Sequence, residues 1–194
     1  MLKHWKYDDY AVYRKVQNTR WEQKKKKTRQ KRFYLPHLSY IIDVLGKTEI
    51  ESIVCQGVRN GSEVATFRSI FPDCSVQGTD MFVKGNDPEG PLFCCDFSEL
   101  PEVWEKRFDL LYSNSIDHVY NLDKTIKEWK RVTKKYMVLV FSDGDPTLGD
   151  PFRVTDQDDI TELCKKYDLE ILNLEGLTVT VRVPSCSATS CESA

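Results

Sequence analysis

The chain contains no stretch of eighteen consecutive apolar residues, so no membrane-spanning helix is expected. Its start, MLKHWKYDDY, has no signal-peptide apolar core, and the expected location is the cytoplasm. Cysteine occurs in no ligand pattern. Seven residues, at 55, 74, 94, 95, 164, 186 and 191, make an odd number without zinc spacing. Cys55, Cys94 and Cys95 lie in strand-like apolar runs, where a free thiol behaves as a small hydrophobe; reduced, structural thiols follow from that placement. No internal repeat is visible. The turn GVRNGS lacks the Gly-Lys-Ser/Thr ending that a phosphate loop requires.

What is present is an ordinary soluble composition on an uneven charge distribution. Of 194 residues, 40% are hydrophobic and 30% charged, with a net charge of −2. Residues 1–36 hold twelve Lys/Arg against three acids, leaving sixteen against twenty-seven in the remainder. A basic arm on an acidic domain has two readings, an anionic partner or docking surface, and a solvated basic helix. Residues 8–32 read as a helix with an aromatic stripe (Tyr10, Tyr13, Val16, Trp21) that turns basic at KKKKTRQKR. A second helix places Leu38, Ile41, Ile42 and Leu45 on one face and stops at Gly46.

Strands and helices then alternate. ESIVC is a short buried strand, and Ser62 opens a helix with Val64, Phe67 and Phe71 inward. SVQGT ends at Asp80, and PLFCC ends at Asp96 before a short helix around SELPEVWEK. The loop 81–91, broken by Gly85, Pro88, Gly90 and Pro91, is too irregular for a full crossover helix. FDLLYS ends at Asn114, LDKTIKEWKRV is a helix, and YMVLVFS is a fifth strand. Thr155 with Asp158 resembles a capping box for a helix burying Ile160, Leu163, Cys164 and Tyr167. LEILNLEGLTVTVRV reads as a hairpin turning near Glu175–Gly176, and the tail SCSATSCESA as disordered. The expected fold is α/β: a doubly wound, mostly parallel seven-stranded sheet with helices on both faces and a C-terminal antiparallel hairpin, preceded by a basic helix. Such sheets bind ligands at the carboxyl ends of their strands.

From the order of elements and the closing hairpin, residues 35–184 resemble the class I S-adenosylmethionine-dependent methyltransferases. Residues 1–34 are then a basic helical extension and 185–194 a tail. The resemblance implies S-adenosyl-L-methionine as cofactor and a methyl acceptor of unknown class. The family's first motif, an acid–x–Gly–x–Gly–x–Gly turn, reads here CQGVRNG: Gly57 and Gly61 are present, Cys55 replaces the acid and Arg59 the middle glycine. Glycine lets backbone approach a ligand and tolerates positive φ. The cofactor has no phosphate, so an arginine is tolerable there if its side chain leaves the pocket or pairs with the methionine carboxylate.

By the same resemblance, Asp80 accepts both ribose hydroxyls, with Met81 and Phe82 beside the adenine; a surface-turn aspartate followed by core residues is the alternative. Asp96 accepts the adenine amino group with Phe97 flanking the ring, or else caps a helix beside a core aromatic. Asn114 faces the methyl donor. His118, with Asp117 before it, takes a proton from a hydroxyl or amine acceptor, or else orients its loop. Asp143, Asp145 and Asp150 either shape the acceptor pocket or are solvated. There is no Asn/Asp-Pro-Pro-Tyr/Phe signature of base and amide methylation, and no metal triad, since the fourth strand ends in Asn114. A methyl sulfonium is already a good leaving group, so positioning and desolvation supply most of the acceleration. Three rival readings remain: a fold that binds but has lost catalysis, motivated by Cys55 and Arg59; an arm docking RNA or another anionic surface; and, least favoured, a nicotinamide-dependent dehydrogenase.

Overall fold

A computed structural model describes residues 3–25, 45, 50–85, 87 and 90–184. The second helix expected around Leu38–Gly46, apart from Leu45, lies outside the described residues, as do the basic run from Lys26 onward and the tail.

The seven-stranded sheet comprises β2 (Ser52–Gln56), β3 (Ser75–Asp80), β4 (Leu92–Cys94), β5 (Phe108–Ser113), β6 (Thr133–Val140), β8 (Glu170–Glu175) and β9 (Thr178–Arg182). Its order is β4-β3-β2-β5-β6-β9-β8. β2 pairs in parallel with β3 and β5, β3 with β4, and β5 with β6. β9 runs antiparallel between β6 and β8, so the terminal hairpin is inserted into the sheet as expected. The order reverses direction between β2 and β3 on one side and β5 on the other, which opens a crevice at their carboxyl ends.

Both faces of the sheet are covered, and the central strands show why. Ile53, Cys55, Leu110 and Tyr112 pack with Val64, Phe67 and Phe71 of α2 (Ser62–Ile70). Val54, Leu111, Met137 and Leu139, pointing the other way, pack with Trp129 of α3 (Leu122–Val132) and with Ile160 and Leu163 of α4 (Gln157–Lys166). Alternate residues serve opposite faces, so a strand buried on both sides reads as a continuous apolar run. In α3 the buried positions Leu122, Ile126, Trp129 and Val132 repeat at four and three residues. Its N-cap Asn121 accepts the Lys124 N–H, 3.0 Å.

Two local expectations change, and one small sheet is new. The segment around SELPEVWEK forms only one turn of 3-10 helix, Glu102–Trp104, with Pro101 before it and Lys106 in the left-handed region soon after. The N-cap of α4 is Asp156, one residue past Thr155; it accepts the N–H groups of Asp158 and Asp159. Asp159 reaches back to the Thr155 N–H, 2.8 Å, so the reciprocal pair is displaced by one position. A second sheet of two residues per strand joins β1 (Lys3–His4) to β7 (Phe152–Arg153), too short to leave any period in the sequence.

Between β1 and β2 lies α1 (Tyr10–Lys25), which crosses the carboxyl ends of the sheet. Tyr13 is fully buried; its hydroxyl donates to the His118 carbonyl, 2.9 Å. Gln17 is also buried and donates to the Gly149 carbonyl, 2.9 Å. Tyr7, Tyr10, Tyr13 and Tyr120 form one aromatic cluster with ring centroids 5.2–6.2 Å apart.

Candidate functional site

The glycine-bearing turn after β2 is held by backbone contacts. The N–H groups of Gly57 and Val58 both donate to the Thr79 carbonyl, at 2.8 and 3.0 Å. Gly57 has φ 80°, and a Cβ there would lie 2.5 Å from Ser115, so no other residue fits without displacing the β5 loop. Arg59, standing where a glycine would be unstrained, also has positive φ, 45°. Its N–H donates to Asp80 Oδ2, 2.9 Å, while the Phe82 N–H donates to Oδ1, 3.0 Å. Burial raises the Asp80 carboxyl above its ordinary range, against the lowering effect of those two bonds and of nearby Arg59. Each carboxylate oxygen keeps a further lone pair for a ligand hydroxyl.

Two cavities meet at this turn. The first encloses about 50 Å³ beneath α1; Tyr13, Gln17 and Trp21 roof it, and Asp80, Met81 and Phe97 line it. The second, about 270 Å³ and mostly polar, is walled by Asn60, Glu63, Asn114, Asp117, Asp150 and Arg153. Arg20, Gly57, Arg59, Ser115 and His118 line both. Of the residues singled out from sequence, Gly57, Arg59, Asp80, Met81, Phe97 and His118 therefore converge in the first cavity, and Asn114 and Asp117 border the second. Gly61 lines neither; at φ 79° it precedes the first residue of α2 and faces Leu92.

Asp96 is occupied from within the chain. Its Oδ1 accepts the Ser98 N–H and hydroxyl, both at 2.8 Å, and its Oδ2 accepts the Tyr10 hydroxyl. Asp96 therefore closes a local turn and starts no helix, while Phe97 is the expected core aromatic. Burial, and then the bond to Asp96, raise the Tyr10 hydroxyl well above its ordinary pKa.

The far wall is a charged cluster. Asp150 receives Arg20 at 2.7 Å, Arg153 at 2.8 Å and His118 Nδ1 at 3.1 Å. Burial alone would raise its carboxyl, but hydrogen bonds from His118 and Arg20 outweigh that and hold it far below the usual carboxylate range. Asp117 accepts the Ser142 hydroxyl, 3.2 Å, and lies 3.7 Å from Arg153. Asp117, His118 and Asp150 come close enough together for a metal, yet two guanidinium groups already take up their carboxylates. Asp145 instead pairs with Lys3 at the surface, and Asp143 is exposed.

Sequence reasoning missed Glu63. It is buried, its Oε1 accepts from Asn114 Nδ2 at 3.4 Å, and its Oε2 has no partner among the described residues. Burial raises its carboxyl to about 7. An acid in the first turn of a helix reads as ordinary dipole compensation, so nothing in the sequence marks it. The inward course of Arg20 was equally hidden, one basic residue among twelve.

The fold is that of the class I S-adenosylmethionine-dependent methyltransferases. Solved structures similar to it include phosphoethanolamine N-methyltransferase 2 from Haemonchus contortus in complex with S-adenosyl-L-methionine, at TM-score 0.55 and 18% identity over 71% of this chain. This chain spans 37% of that enzyme's length. A SAM-dependent methyltransferase from Aquifex aeolicus matches at TM-score 0.57 and 12% identity, over 92% of this chain and all of that one. The [4+2]-cyclase SpnF matches at TM-score 0.55 and 15% identity, over 91% of this chain and 65% of that one. No family model and no curated protein matches the sequence.

Proposed function

We propose that this protein is a methyltransferase that uses S-adenosyl-L-methionine and acts on a small or accessible hydroxyl or amine. The observation that carries the reading is Asp80. It lies at the carboxyl end of the strand beside β2, fixed by two backbone N–H groups, with unused acceptor capacity and the apolar Met81, Phe82 and Phe97 around the same cavity. That set suits a nucleoside: a two-acceptor carboxylate for ribose hydroxyls and an apolar slot for the base. Gly57 is the cradle, since any side chain there would fill the approach. In the Haemonchus enzyme of the same fold, S-adenosyl-L-methionine is bound.

The cofactor, when bound, supplies a methyl group on a sulfonium that leaves as a neutral thioether. The chain's part is to orient, exclude water and handle the acceptor's proton. His118 stands in the wall shared by both cavities. Its Nδ1 faces Asp150 Oδ1 at 3.1 Å and the Gly149 carbonyl at 3.2 Å, an arrangement that keeps the proton on Nδ1 and the lone pair on Nε2. Nε2 then accepts the proton as the acceptor oxygen or nitrogen bonds to the methyl carbon. Asp117 Oδ1, 3.8 Å from Nε2 and without a hydrogen-bond partner among the described residues, stabilises the imidazolium that results.

Calorimetric titration with S-adenosylhomocysteine tests the reading. Wild type binds, Asp80→Ala binds at least about tenfold more weakly, and Asp80→Asn falls between, since a neutral amide offers only one acceptor oxygen. No heat from wild type at millimolar ligand ends the proposal. A second reading, a binding protein without turnover, is favoured by Cys55 and Arg59 in the turn, and SpnF carries a cyclase name on the same fold. It predicts the same titration but no labelled product from any cell fraction. The basic N-terminal arm is a separate proposal: an anionic partner such as RNA, whose binding would fall steeply with salt and vanish when the arm is removed.

A further inference from the structure

Asp117 and His118 stand on one turn of 3-10 helix, Ile116–His118, just past the carboxyl end of β5, and both line the larger cavity. The two oxygens of the Asp117 carboxylate are unequal. Oδ2 accepts the Ser142 hydroxyl at 3.2 Å and faces Arg153 at 3.7 Å. Oδ1 is buried without a hydrogen-bond partner among the described residues, on a residue only 7% exposed. His118 Nε2 lies 3.8 Å from it, beyond hydrogen-bond reach. The other ring nitrogen is committed. Nδ1 meets Asp150 Oδ1 and the Gly149 carbonyl, so Nε2 carries the lone pair. The cations of the wall are engaged elsewhere: Asp150 holds Arg20 at 2.7 Å and Arg153 at 2.8 Å. This corner of the cavity therefore presents two neighbouring acceptors, a carboxylate oxygen and an imidazole nitrogen, with no donor between them.

That spacing selects the atom that fits there. A nitrogen about 2.9 Å from both acceptors donates one N–H to each, at angles within the ordinary hydrogen-bond range. A hydroxyl has a single hydrogen, so it satisfies one acceptor and leaves the other buried and unpaired. We propose that the methyl acceptor is a small primary amine seated between Asp117 Oδ1 and His118 Nε2, and that Asp117 selects nitrogen over oxygen. The inference rests on the methyltransferase reading above and narrows its acceptor to one of two classes. A cavity of about 270 Å³ with a mostly polar wall suits a small hydrophilic molecule.

The amine arrives as an ammonium, with Asp117 as its counter-charge. Nε2 takes one proton, and the nitrogen lone pair so freed bonds to the methyl carbon. The C–S bond breaks as the N–C bond forms, and its electron pair stays on sulfur in a neutral thioether. The product leaves as a secondary ammonium, and the proton on Nε2 passes to water. Asp117 Oδ1 accepts an N–H of the same nitrogen before and after transfer.

The test uses the full chain and matched pairs differing only in nitrogen against oxygen: ethanolamine against ethylene glycol, and propylamine against propanol. Each is titrated calorimetrically into wild type saturated with S-adenosylhomocysteine, then incubated with methyl-labelled S-adenosyl-L-methionine. Wild type is expected to bind each amine at least about tenfold more tightly than its alcohol, and to label the amines alone. Asp117→Asn keeps a carbonyl oxygen for Ser142 but turns an amide donor to the site, and should erase that preference. A merely structural Asp117 would weaken both members of each pair together, leaving their ratio unchanged. Thermal melting reports whether the variant folds, and the wild-type comparison stands without it. Equal binding of amine and alcohol, label on an alcohol, or no heat from either amine at high millimolar concentration overturns the proposal while the nucleoside reading stands. An amine preference with no label supports the seat and overturns the transfer. If S-adenosylhomocysteine itself does not bind, both readings fall together.

Discussion

Arg59 holds φ 45°, a region that costs a residue with a side chain about 1–2 kcal/mol and glycine almost nothing. Arg59→Gly is therefore expected to raise the melting temperature by about 2–4 °C, after allowing for the entropy glycine adds to the unfolded chain, while weakening ligand binding. A variant that melts lower would show that the guanidinium has a structural partner. Glu63 carries the opposite sign in pH. Its folded pKa, about 7, lies above the ordinary value of 4.5, so its contribution is full below about pH 4.5 and is lost as pH rises through 7. Stability of the ligand-free protein should fall across that window, and Glu63→Gln should flatten it in denaturant titrations at pH 5 and 8. Asp150 is the reverse case, its carboxyl held low. Its contribution is present above about pH 4 and is lost as pH falls through its folded value. Asp150→Asn strands Arg20 and Arg153 and should destabilise by on the order of 3 kcal/mol in denaturant titrations. At this scale the sequence was legible where backbone geometry selects the residue, as at Gly57, and where a carboxylate closes a strand, as at Asp80. It was silent on Glu63, because burial depends on what packs above a helix start and composition does not record that.

The element that sets the site apart is α1. It crosses both cavities, is tied down by Tyr13, Gln17 and Arg20, and supplies the tyrosine that occupies Asp96. The space left beneath it, about 50 Å³, is far below the roughly 300 Å³ at which sites for ligands of this size begin. On the proposed function, a nucleoside seated on Asp80 displaces α1 outward. Hydrogen exchange should show residues 10–25 slowing when S-adenosylhomocysteine is added, with no change in α3. Unaltered exchange in α1 alongside slowed exchange elsewhere would place the ligand outside this cavity. The aromatic stripe of α1 was readable from its spacing, and so was its packing on the domain. Which edge of the sheet it would meet was not, because that choice depends on the β1–β7 pairing, two residues long and invisible to any periodicity.

On the scale of the whole molecule, the order of strands followed from alternation and the closing hairpin, since a strand run buried on both faces and a Glu-Gly turn between apolar strands leave few other topologies. The two packed layers meet through the sheet, and Trp129 is the largest side chain between α3 and the strands beneath it. Trp129→Ala should cost about 3–5 kcal/mol by thermal or chemical unfolding. The central claim is narrower than the fold: a nucleoside sits on Asp80 beneath α1, with its tail directed past Gly57. A crystal structure with S-adenosylhomocysteine tests it most directly. The account predicts both ribose hydroxyls within hydrogen-bond distance of the Asp80 carboxylate and the homocysteine carboxylate on Arg59. A nucleoside bound elsewhere, or an Asp80 carboxylate turned to solvent in the complex, would contradict it.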